Sequence, residues 1–397
     1  MKRFAFASAF VSAAALVLVT GAIPGSAQTV PPGYPADYAA IISAAEHEGS
    51  VAVYSTTDSG SADALLKDFR ALYPKVQIKY YDLNSTEVYN RYLSETAANA
   101  ETADVLWSGS MDLQLKLVAD GRALTYRSPE SGKMPKWAVF EDHAWGTTFE
   151  PLVIAYNKRL LPADAVPSSH GDLLRVLKDK PQLFAGGKLT TYDPEKSGFA
   201  FMLMTHDEKY FPQFWELAAA FGRGTGRFYP SSGTMIERIT SGEHLLGFNV
   251  IGSYVVLRQK KDPDLGLVYP SDYVLVMSRV AFIPKNAKRP NAGKLFLDYL
   301  ISARAQKIMA NQATLFSLRE DVEGPYSAAA LGKELGPRLK PIPVDKGLLD
   351  ALAPAKRLAL LRKWQETARQ EGGQNRLPLR TRFAVAESDF AHPTEPA

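Results

Sequence analysis

The alternation of apolar and polar positions from Val51 to Tyr80 predicts a strand, a helix and a second strand. The apolar run Val51–Tyr54 ends at a polar loop, residues 55–60. Apolar residues then recur at helical spacing until Pro74, and a second apolar run reaches Tyr80. This order is a βαβ unit. The loop after its first strand lies at a helix N-terminus, where α/β sheets hold ligands, especially anionic ones.

The same pattern continues along the chain. Asn84 with Glu87 three residues later predicts a capped helix, and the strand at 104–107 precedes another polar loop. A strand at 151–156 opens a second set of such elements, and one strand at 273–283 is expected to lead the chain back. Strands that alternate with helices predict an α/β fold with largely parallel sheets. We expect two lobes, with a hinge near Phe149–Leu152 and Val274–Val280.

The ends of the chain predict segments outside this body. Residues 1–27 have the pattern of a cleaved signal peptide, with Lys2 and Arg3 before an apolar run and small residues at the end. An uncleaved membrane anchor is the alternative. The polar residues 372–397 are expected to form a mobile tail. Between them we expect lobe 1 at 28–150, lobe 2 at 151–275, and a return to lobe 1 with C-terminal helices at 276–371.

Composition removes several classes of function. Without the signal peptide the charge falls to 44 − 42 = +2, and no basic stripe suggests nucleic acid as a partner. The chain has no cysteine, so thiolate metal sites and cysteine nucleophiles are excluded. The six histidines lack metal-ligand spacing, and the common hydrolase and nucleotide-binding motifs are missing. We therefore expect a non-enzyme with no catalytic residue, no metal site and no cofactor.

Five loops place small polar residues where a strand ends and a helix begins: residues 55–59, 84–86, 108–110, 197–198 and 231–234. Each loop on its own can be explained as ordinary helix capping. Five of them in two lobes favour a second interpretation. If the lobes face each other, their helix N-termini form a cleft that can bind an anion without bulk positive charge.

Five segments carry a resemblance to a known family: residues 51–55, 103–108, 153–157, 197–198 and 241–243. With them the chain resembles the periplasmic solute-binding proteins of ABC importers, in the branch that includes ferric-ion, thiamine and phosphorylated-solute binders. The resemblance implies a two-lobed type II binding-protein fold, with two parallel or mixed sheets flanked by helices and joined by a two-strand hinge. It also implies periplasmic localisation and an ABC permease in the inner membrane as partner. We expect a monomer.

The resemblance also bears on the ligand. Ferric-binding members use a histidine, a glutamate and two tyrosines, and the matching positions here hold Asp58, Gly109 and residues 251–253, with Tyr254 as a lone tyrosine. The positions that hold a small anion beside the metal are kept as Ser197, Gly198, Ser232 and Asn249. This combination predicts a small organic solute with a phosphate, phosphonate or carboxylate group, bound without metal.

The anionic end of the solute is expected on lobe 2, and the loops of lobe 1 are expected to meet its variable end. Arg223, Arg227 and Arg279 are candidate charge partners. Three alternatives stay open: a ferric-ion or thiamine-type binder, a sensor for a histidine kinase, and a periplasmic hydrolase. The expected ligand-binding residues are Thr56, Thr57, Asp58, Ser108, Gly109, Ser197, Gly198, Ser232, Asn249 and Tyr254.

Overall fold

The computed structural model describes residues 30–224, 226–312 and 315–369. The expected signal peptide and the expected tail after residue 371 lie outside these ranges. None of the helices in the described ranges is long and apolar enough to cross a membrane.

The first part of the chain forms most of lobe 1. The lobe 1 sheet has the strand order β2-β1-β3-β12-β5-β4, in which β12 (Val280–Phe282) comes from a later part of the chain. Its elements up to residue 146 are α1 (Tyr38–Glu48), β1 (Ser50–Ser55), α2 (Ser59–Leu72), β2 (Gln77–Asp82), α3 (Ser85–Ala97), β3 (Val105–Ser108), α4 (Met111–Ala119), β4 (Val139–Phe140) and β5 (Ala144–Gly146).

Lobe 2 follows, with the sheet order β13-β11-β6-β9-β7-β8 and β10 paired with β6. Its elements are β6 (Glu150–Asn157), α5 (His170–Asp179), α6 (Pro181–Phe184), β7 (Leu189–Tyr192), α7 (Gly198–Tyr210), α8 (Phe214–Arg223), β8 (Arg227–Tyr229), α9 (Ser232–Thr240), β9 (Leu246–Ile251), α10 (Gly252–Gln259), β10 (Leu265–Val268) and β11 (Val274–Met277).

The remaining elements return to lobe 1 and then reach lobe 2 again. They are β12 (Val280–Phe282), α11 (Pro290–Ile301), α12 (Ala303–Gln312), α13 (Ala328–Leu335), β13 (Leu339–Pro341) and α14 (Pro354–Ala368). Short 3₁₀ helices lie at Ser131–Lys133, Lys136–Ala138, Ala163–Ala165, Gly336–Arg338 and Lys346–Leu352.

The predicted βαβ unit is confirmed. β1 and β2 are parallel, with Ser50 opposite Gln77 and Ser55 opposite Asp82. α2 buries Leu65, Leu66 and Phe69, the apolar face that its spacing predicted. The capping box of α3 is also present, because the Asn84 side chain accepts from Glu87 N and the Glu87 carboxylate accepts from Asn84 N.

The second hinge crossing lies within its predicted range, 274–280, whereas the first lies a few residues before its predicted position. The expected strand at 273–283 is two strands, because β11 belongs to the lobe 2 sheet and β12 to the lobe 1 sheet. The chain crosses between them at Ser278 and Arg279. The first crossing lies at 147–149, since Pro151 already pairs with Val276 inside lobe 2. Backbone bonds tie the two crossings together, including Thr147 N to Arg279 O at 2.9 Å.

The end of the described chain does not stay with lobe 1. β13 is a parallel neighbour of β11 in the lobe 2 sheet, and α14 packs on α8 of lobe 2. Residues 276–371 were expected to return to lobe 1, but β13 and α14 in the second half of this segment pack against lobe 2. Local pattern cannot reveal this docking, because it depends on which exposed sheet edge and helix face the segment meets.

Candidate functional site

The polar loops that follow β1 and β3 meet at one edge of the lobe 1 sheet. β1 and β3 are parallel neighbours, so their carboxyl ends lie side by side. Thr56 Oγ1 accepts a hydrogen bond from Gly109 N at 2.9 Å, which joins the two loops directly. Ser108 Oγ accepts from Ser110 N and shapes the second loop. The structure thus brings Thr56, Ser108 and Gly109 together, as the sequence predicts.

Asp58 and Tyr254 meet across the cleft between the lobes. The Tyr254 hydroxyl accepts from Asp58 N at 3.0 Å and lies 3.2 Å from Asp58 Oδ1, to which it donates. The other carboxylate oxygen of Asp58 points toward Gly233 in α9, since a Cβ added there would lie 3.3 Å from it. Asp58 therefore contacts lobe 2 from the N-terminus of α2.

Arg279 lies on the floor of the cleft, at the second hinge crossing, and is 1% exposed. Its Nη1 donates to Thr56 O at 3.2 Å, and its guanidinium lies 5.3 Å from the centre of the Tyr254 ring. Its Nε is 3.7 Å from Oε1 of Glu150, a fully buried carboxyl on the other hinge strand. Arg279 Nε and Nη2 have no hydrogen-bond partner among the described residues.

Two hydroxyls in this region are also buried without a hydrogen-bond partner in the described part of the chain. They belong to Thr57, in the loop after β1, and Ser253, beside Tyr254 in α10. Buried polar groups normally have partners, so each unpaired group needs an explanation, such as a bound solute or water. The cleft floor therefore offers donors from a guanidinium and from hydroxyl groups of both lobes.

Burial changes the acid–base behaviour of the cleft. It raises the pKa of Asp58 and of Glu150, while the positive charge of Arg279 lowers both against that rise. Burial lowers the pKa of Arg279, but the acidic groups around it, mainly Tyr254, Glu150 and Asp58, hold it above its usual value. Burial also raises the pKa of Tyr80 in lobe 1 and of Tyr192 in lobe 2, and the positive charge of Arg279 acts against this rise in both.

The predicted anion seat, Ser197 and Gly198, begins α7 at the interface with lobe 1. Ser197 Oγ accepts from Ala200 N and so caps its own helix, and it lies 3.5 Å from Ser85 Oγ at the start of α3. Thr86 Oγ1 donates to Lys196 O at 3.2 Å. A Cβ on Gly198 would lie 2.5 Å from Leu113 Cδ1 of α4. The N-termini of three helices thus meet here, and the capping explanation also holds for Ser197.

Ser232 and Asn249 have different surroundings. Ser232 Oγ accepts from Ile251 N at 3.0 Å and is hydrogen-bonded to the Tyr192 hydroxyl, on the same side of the cleft as Gly233. The Asn249 amide instead donates to Asp207, which also accepts from Tyr273 inside lobe 2. The structure therefore brings Ser232 to the predicted site, while the Asn249 side chain is engaged in the interior of lobe 2.

Sequence reasoning did not select Glu150, Tyr80, Tyr192 or Ser85 as site residues. Glu150 had a usable signal, because a carboxyl between Phe149 and the apolar run 151–155 is a buried charge that requires a partner. The tyrosines carry no comparable signal, since an aromatic residue in a strand is usually part of the core. Of the three candidate arginines, the structure places Arg279 in the cleft.

The cleft contains few groups that could bind a metal ion. In the described ranges no three His, Asp or Glu side chains lie close enough together to hold a metal ion. Asp58 and Tyr254 supply two oxygen donors. Iron(III) favours several anionic oxygen ligands, and the positive charge of Arg279, whose guanidinium lies 5.3 Å from the centre of the Tyr254 ring, opposes a metal ion here.

Two α/β lobes joined by two adjacent hinge crossings, with polar loops facing each other across a cleft, define the class of two-lobed ligand-binding proteins. The family model described as bacterial extracellular solute-binding protein matches residues 64–331, which is more than half of the chain. The chain belongs to this family and is a substrate-binding protein of an ABC transporter. The family implies periplasmic localisation, an ABC permease as partner and transport in place of catalysis.

Solved structures agree with this assignment. The substrate-binding protein of an ABC transporter from Agrobacterium tumefaciens is 33% identical, with a TM-score of 0.77, over 81% of this chain and 94% of that one. The periplasmic binding protein AfuA from Actinobacillus pleuropneumoniae, solved with fructose-6-phosphate, is 19% identical, with a TM-score of 0.67, over 81% and 99% of the two chains.

A ferric-binding relative has the same fold. The apo ferric ion-binding protein A from Pasteurella haemolytica is 18% identical, with a TM-score of 0.63, over 82% of this chain and 100% of that one. At this identity the likeness concerns the fold alone. No curated protein sequence matches the chain.

Proposed function

We propose that the protein binds a small organic solute with a phosphate, phosphonate or carboxylate group in the interlobe cleft, without metal, and delivers it to an ABC permease. The observation that carries this proposal is Arg279. A guanidinium that is 1% exposed, with two nitrogens lacking a hydrogen-bond partner among the described residues, offers charge-assisted donors to an anion. Hydroxyls of Thr57 and Ser253 add further donors around the cleft.

The variable end of the solute would meet the loops of lobe 1. Glu150 is buried and faces Arg279, so Asp58 is the carboxyl of this cluster that remains available to the solute. It can accept a hydrogen bond from a hydroxyl group or pair with an amine. Arg279 and Asp58 would thus contact different parts of the solute. This arrangement favours a solute that has an anionic end and a hydroxylated or aminated remainder, and it is less suited to an anion without such a remainder.

A thermal-shift screen tests the proposal. The panel contains phosphorylated sugars, phosphoglycerates, phosphonates, aminophosphonates, thiamine phosphates, dicarboxylates, ferric citrate and iron(III) alone. A solute at 100 times its Kd stabilises the native protein by about 2.7 kcal/mol, so at least one organic anion is expected to raise Tm. Iron(III) alone is expected to leave Tm and colour unchanged. Stabilisation by iron(III), or by neutral solutes only, would contradict the proposal.

The variant Asp58→Asn tests the role of the first loop with whichever panel members raise Tm. It should weaken binding of aminated or hydroxylated members by about tenfold or more, equivalent to about 1.4 kcal/mol. Binding of anions that lack hydroxyl and amine groups should change less. Asp63→Asn is the matched control, because Asp63 lies on the exposed face of α2 and pairs only with Lys67 among the described residues. Equal effects of the two variants would remove Asp58 from the site. Chemical turnover of a stabilising solute would favour the hydrolase alternative.

A further inference from the structure

The last described segment connects the two lobes a third time; we call residues Leu339–Arg369 the C-terminal bridge. Its strand β13 lies parallel to β11, with Val274 opposite Leu339, so the bridge begins on the lobe 2 side of the hinge. Shortly afterwards Val344 N donates to Trp137 O at 2.7 Å, and Trp137 lies in the lobe 1 segment before β4. The bridge therefore passes from one lobe to the other beside the hinge.

The next part of the bridge lies where the lobes meet. The 3₁₀ helix Lys346–Leu352 contacts α4 of lobe 1 and α7 of lobe 2. These two helices also contact each other directly across the cleft, since Leu113 of α4 packs beside Gly198 of α7. Opening of the cleft would separate α4 from α7, and the 3₁₀ helix would then lose its contacts with one of them.

α14 continues this connection through Arg357. Its guanidinium lies 5.0 Å from the centre of the Phe201 ring in α7 of lobe 2. Its charge also acts on Asp112, a buried residue of α4 in lobe 1. Burial raises the pKa of Asp112, which lies at about 6, and the positive charge of Arg357 acts in the opposite direction. One cation of the bridge therefore interacts with both helices that flank the cleft.

The end of the bridge is anchored beside the candidate anion seat. Arg369 pairs with Asp193 and Glu195, each at 2.8 Å, and Asp193 is 1% exposed. These two carboxyls precede Ser197 in the loop that begins α7. α14 also approaches α8 so closely that a Cβ on Gly222 would lie 2.7 Å from Ala368 O. The loop that presents Ser197 is thus held by the C-terminal end of the bridge.

We infer that the C-terminal bridge sets the balance between open and closed forms, with Arg357 joining α4 to α7 and Arg369 positioning the loop before Ser197. Both arginines are positioning residues, since they act through other groups. The effect on closure is independent of the proposed function. The effect on solute affinity rests on it, because a bridge that favours the closed form raises the population competent to hold the solute.

Interlobe distances test this inference without any solute. The chain has no cysteine, so a pair of spin labels can be attached at Lys67→Cys in α2 and Glu237→Cys in α9, two exposed positions on opposite lobes. Arg357→Ala and Arg369→Ala in this background are expected to broaden the label–label distance distribution and move it to longer distances. Arg357→Lys, which keeps the charge, should restore most of the original distribution.

Lys356→Ala is the matched control, because Lys356 is the exposed neighbour of Arg357 on the same helix. Circular dichroism and Tm identify any variant that merely unfolds, and Arg369→Lys then replaces Arg369→Ala. Distributions equal to that of Lys356→Ala in all folded variants would overturn the inference. This outcome is independent of the thermal-shift screen. An organic anion can raise Tm even if the bridge has no effect on the interlobe distance, and the bridge can control that distance even if no anion binds.

Discussion

Arg279 and Glu150 are opposite charges that both lie in the interior, on the two strands that cross the hinge. A buried pair at 3.7 Å is not strongly stabilising in itself, because desolvation of both charges offsets their attraction. Its position suggests another reason for its presence. The pair holds a guanidinium between the two hinge crossings, and two of its nitrogens have no hydrogen-bond partner among the described residues.

Removal of one partner should therefore be costly. Arg279→Met leaves Glu150 buried without a cation, and it is expected to lower the free energy of unfolding by about 3–5 kcal/mol. Arg279→Met combined with Glu150→Leu should recover a large part of this loss. Urea unfolding measures both. Arg304→Met is the control, since its pair with Asp68 is at the surface and should cost below about 1 kcal/mol. A double variant whose loss equals the sum of the losses of Arg279→Met and Glu150→Leu would show that the two residues are not coupled.

At the scale of elements, the helix N-termini at the cleft are packed against each other. α7 begins with Gly198, and its position beside Ser110 and Leu113 of α4 leaves no room for a side chain. The absence of a Cβ is therefore a requirement of the interlobe contact. Ser197 supplies the cap, and Gly198 supplies the close approach.

This predicts that Gly198→Ala acts on closure. Its Cβ would lie 2.5 Å from Leu113 Cδ1, 3.3 Å from Leu113 Cγ and 2.8 Å from Ser110 Oγ, so α4 and α7 move apart unless both side chains change rotamer together. We expect a larger radius of gyration in small-angle scattering and weaker binding of any stabilising panel solute by tenfold or more. Gly109→Ala is the comparison, because its nearest contact is Met277 Cε, the end of a flexible side chain. A smaller effect for Gly198→Ala than for Gly109→Ala would contradict this account.

At the scale of the whole molecule, pH dependence is expected to come from carboxyls in the interior of lobe 1. Asp298 accepts hydrogen bonds from Tyr38 and Tyr126 at 2.7 and 2.6 Å and from Ser128. Burial raises the pKa of Asp298 to about 6, above the value of about 3.9 in an unfolded chain. The folded protein thus holds this proton more tightly than the unfolded chain does.

Stability from this group is fully present below about pH 4 and is lost as the pH rises through about 6. The loss is expected to reach at most about 3 kcal/mol. We expect Tm to fall between pH 4 and 6.5, and Asp298→Asn to flatten this slope while lowering Tm overall. Carboxyls with a lowered pKa, such as Asp68 beside Arg304, act mainly at lower pH. His206 and His244, whose pKa burial lowers, oppose the fall because their contribution to stability grows as the pH rises toward about 6.5. Asp63→Asn is the exposed control. An unchanged slope in Asp298→Asn would assign the pH dependence to other groups.

Much of the fold was open to prediction because it depends on short-range physics. Apolar spacing placed β1, α2 and β2, and hydroxyl or amide caps placed the starts of α3, α7 and α9. The second hinge crossing was predicted in the correct range and the first a few residues too late, while the split between β11 and β12 was not predicted. A continuous apolar run does not show at which residue the chain leaves one sheet for another.

The candidate site was only partly predictable. Neighbouring strand ends bring Thr56 and Gly109 together, which the strand order implies. Other contacts join residues far apart in the chain: Tyr254 meets Asp58 196 positions away, and Arg279 reaches Glu150 only because two hinge strands run side by side. Asn249 shows the opposite case, since its side chain turns to Asp207.

The sequence by itself determined the βαβ units, their capped helix starts and the exclusion of thiolate chemistry, because these depend on neighbouring residues and on composition. Only the tertiary structure decided which charges share the cleft floor, which glycine allows the lobes to touch and where the C-terminal bridge lies. Such features arise when distant segments exclude water together, and burial then sets the pKa values, the unpaired donors and the close contacts on which binding would depend.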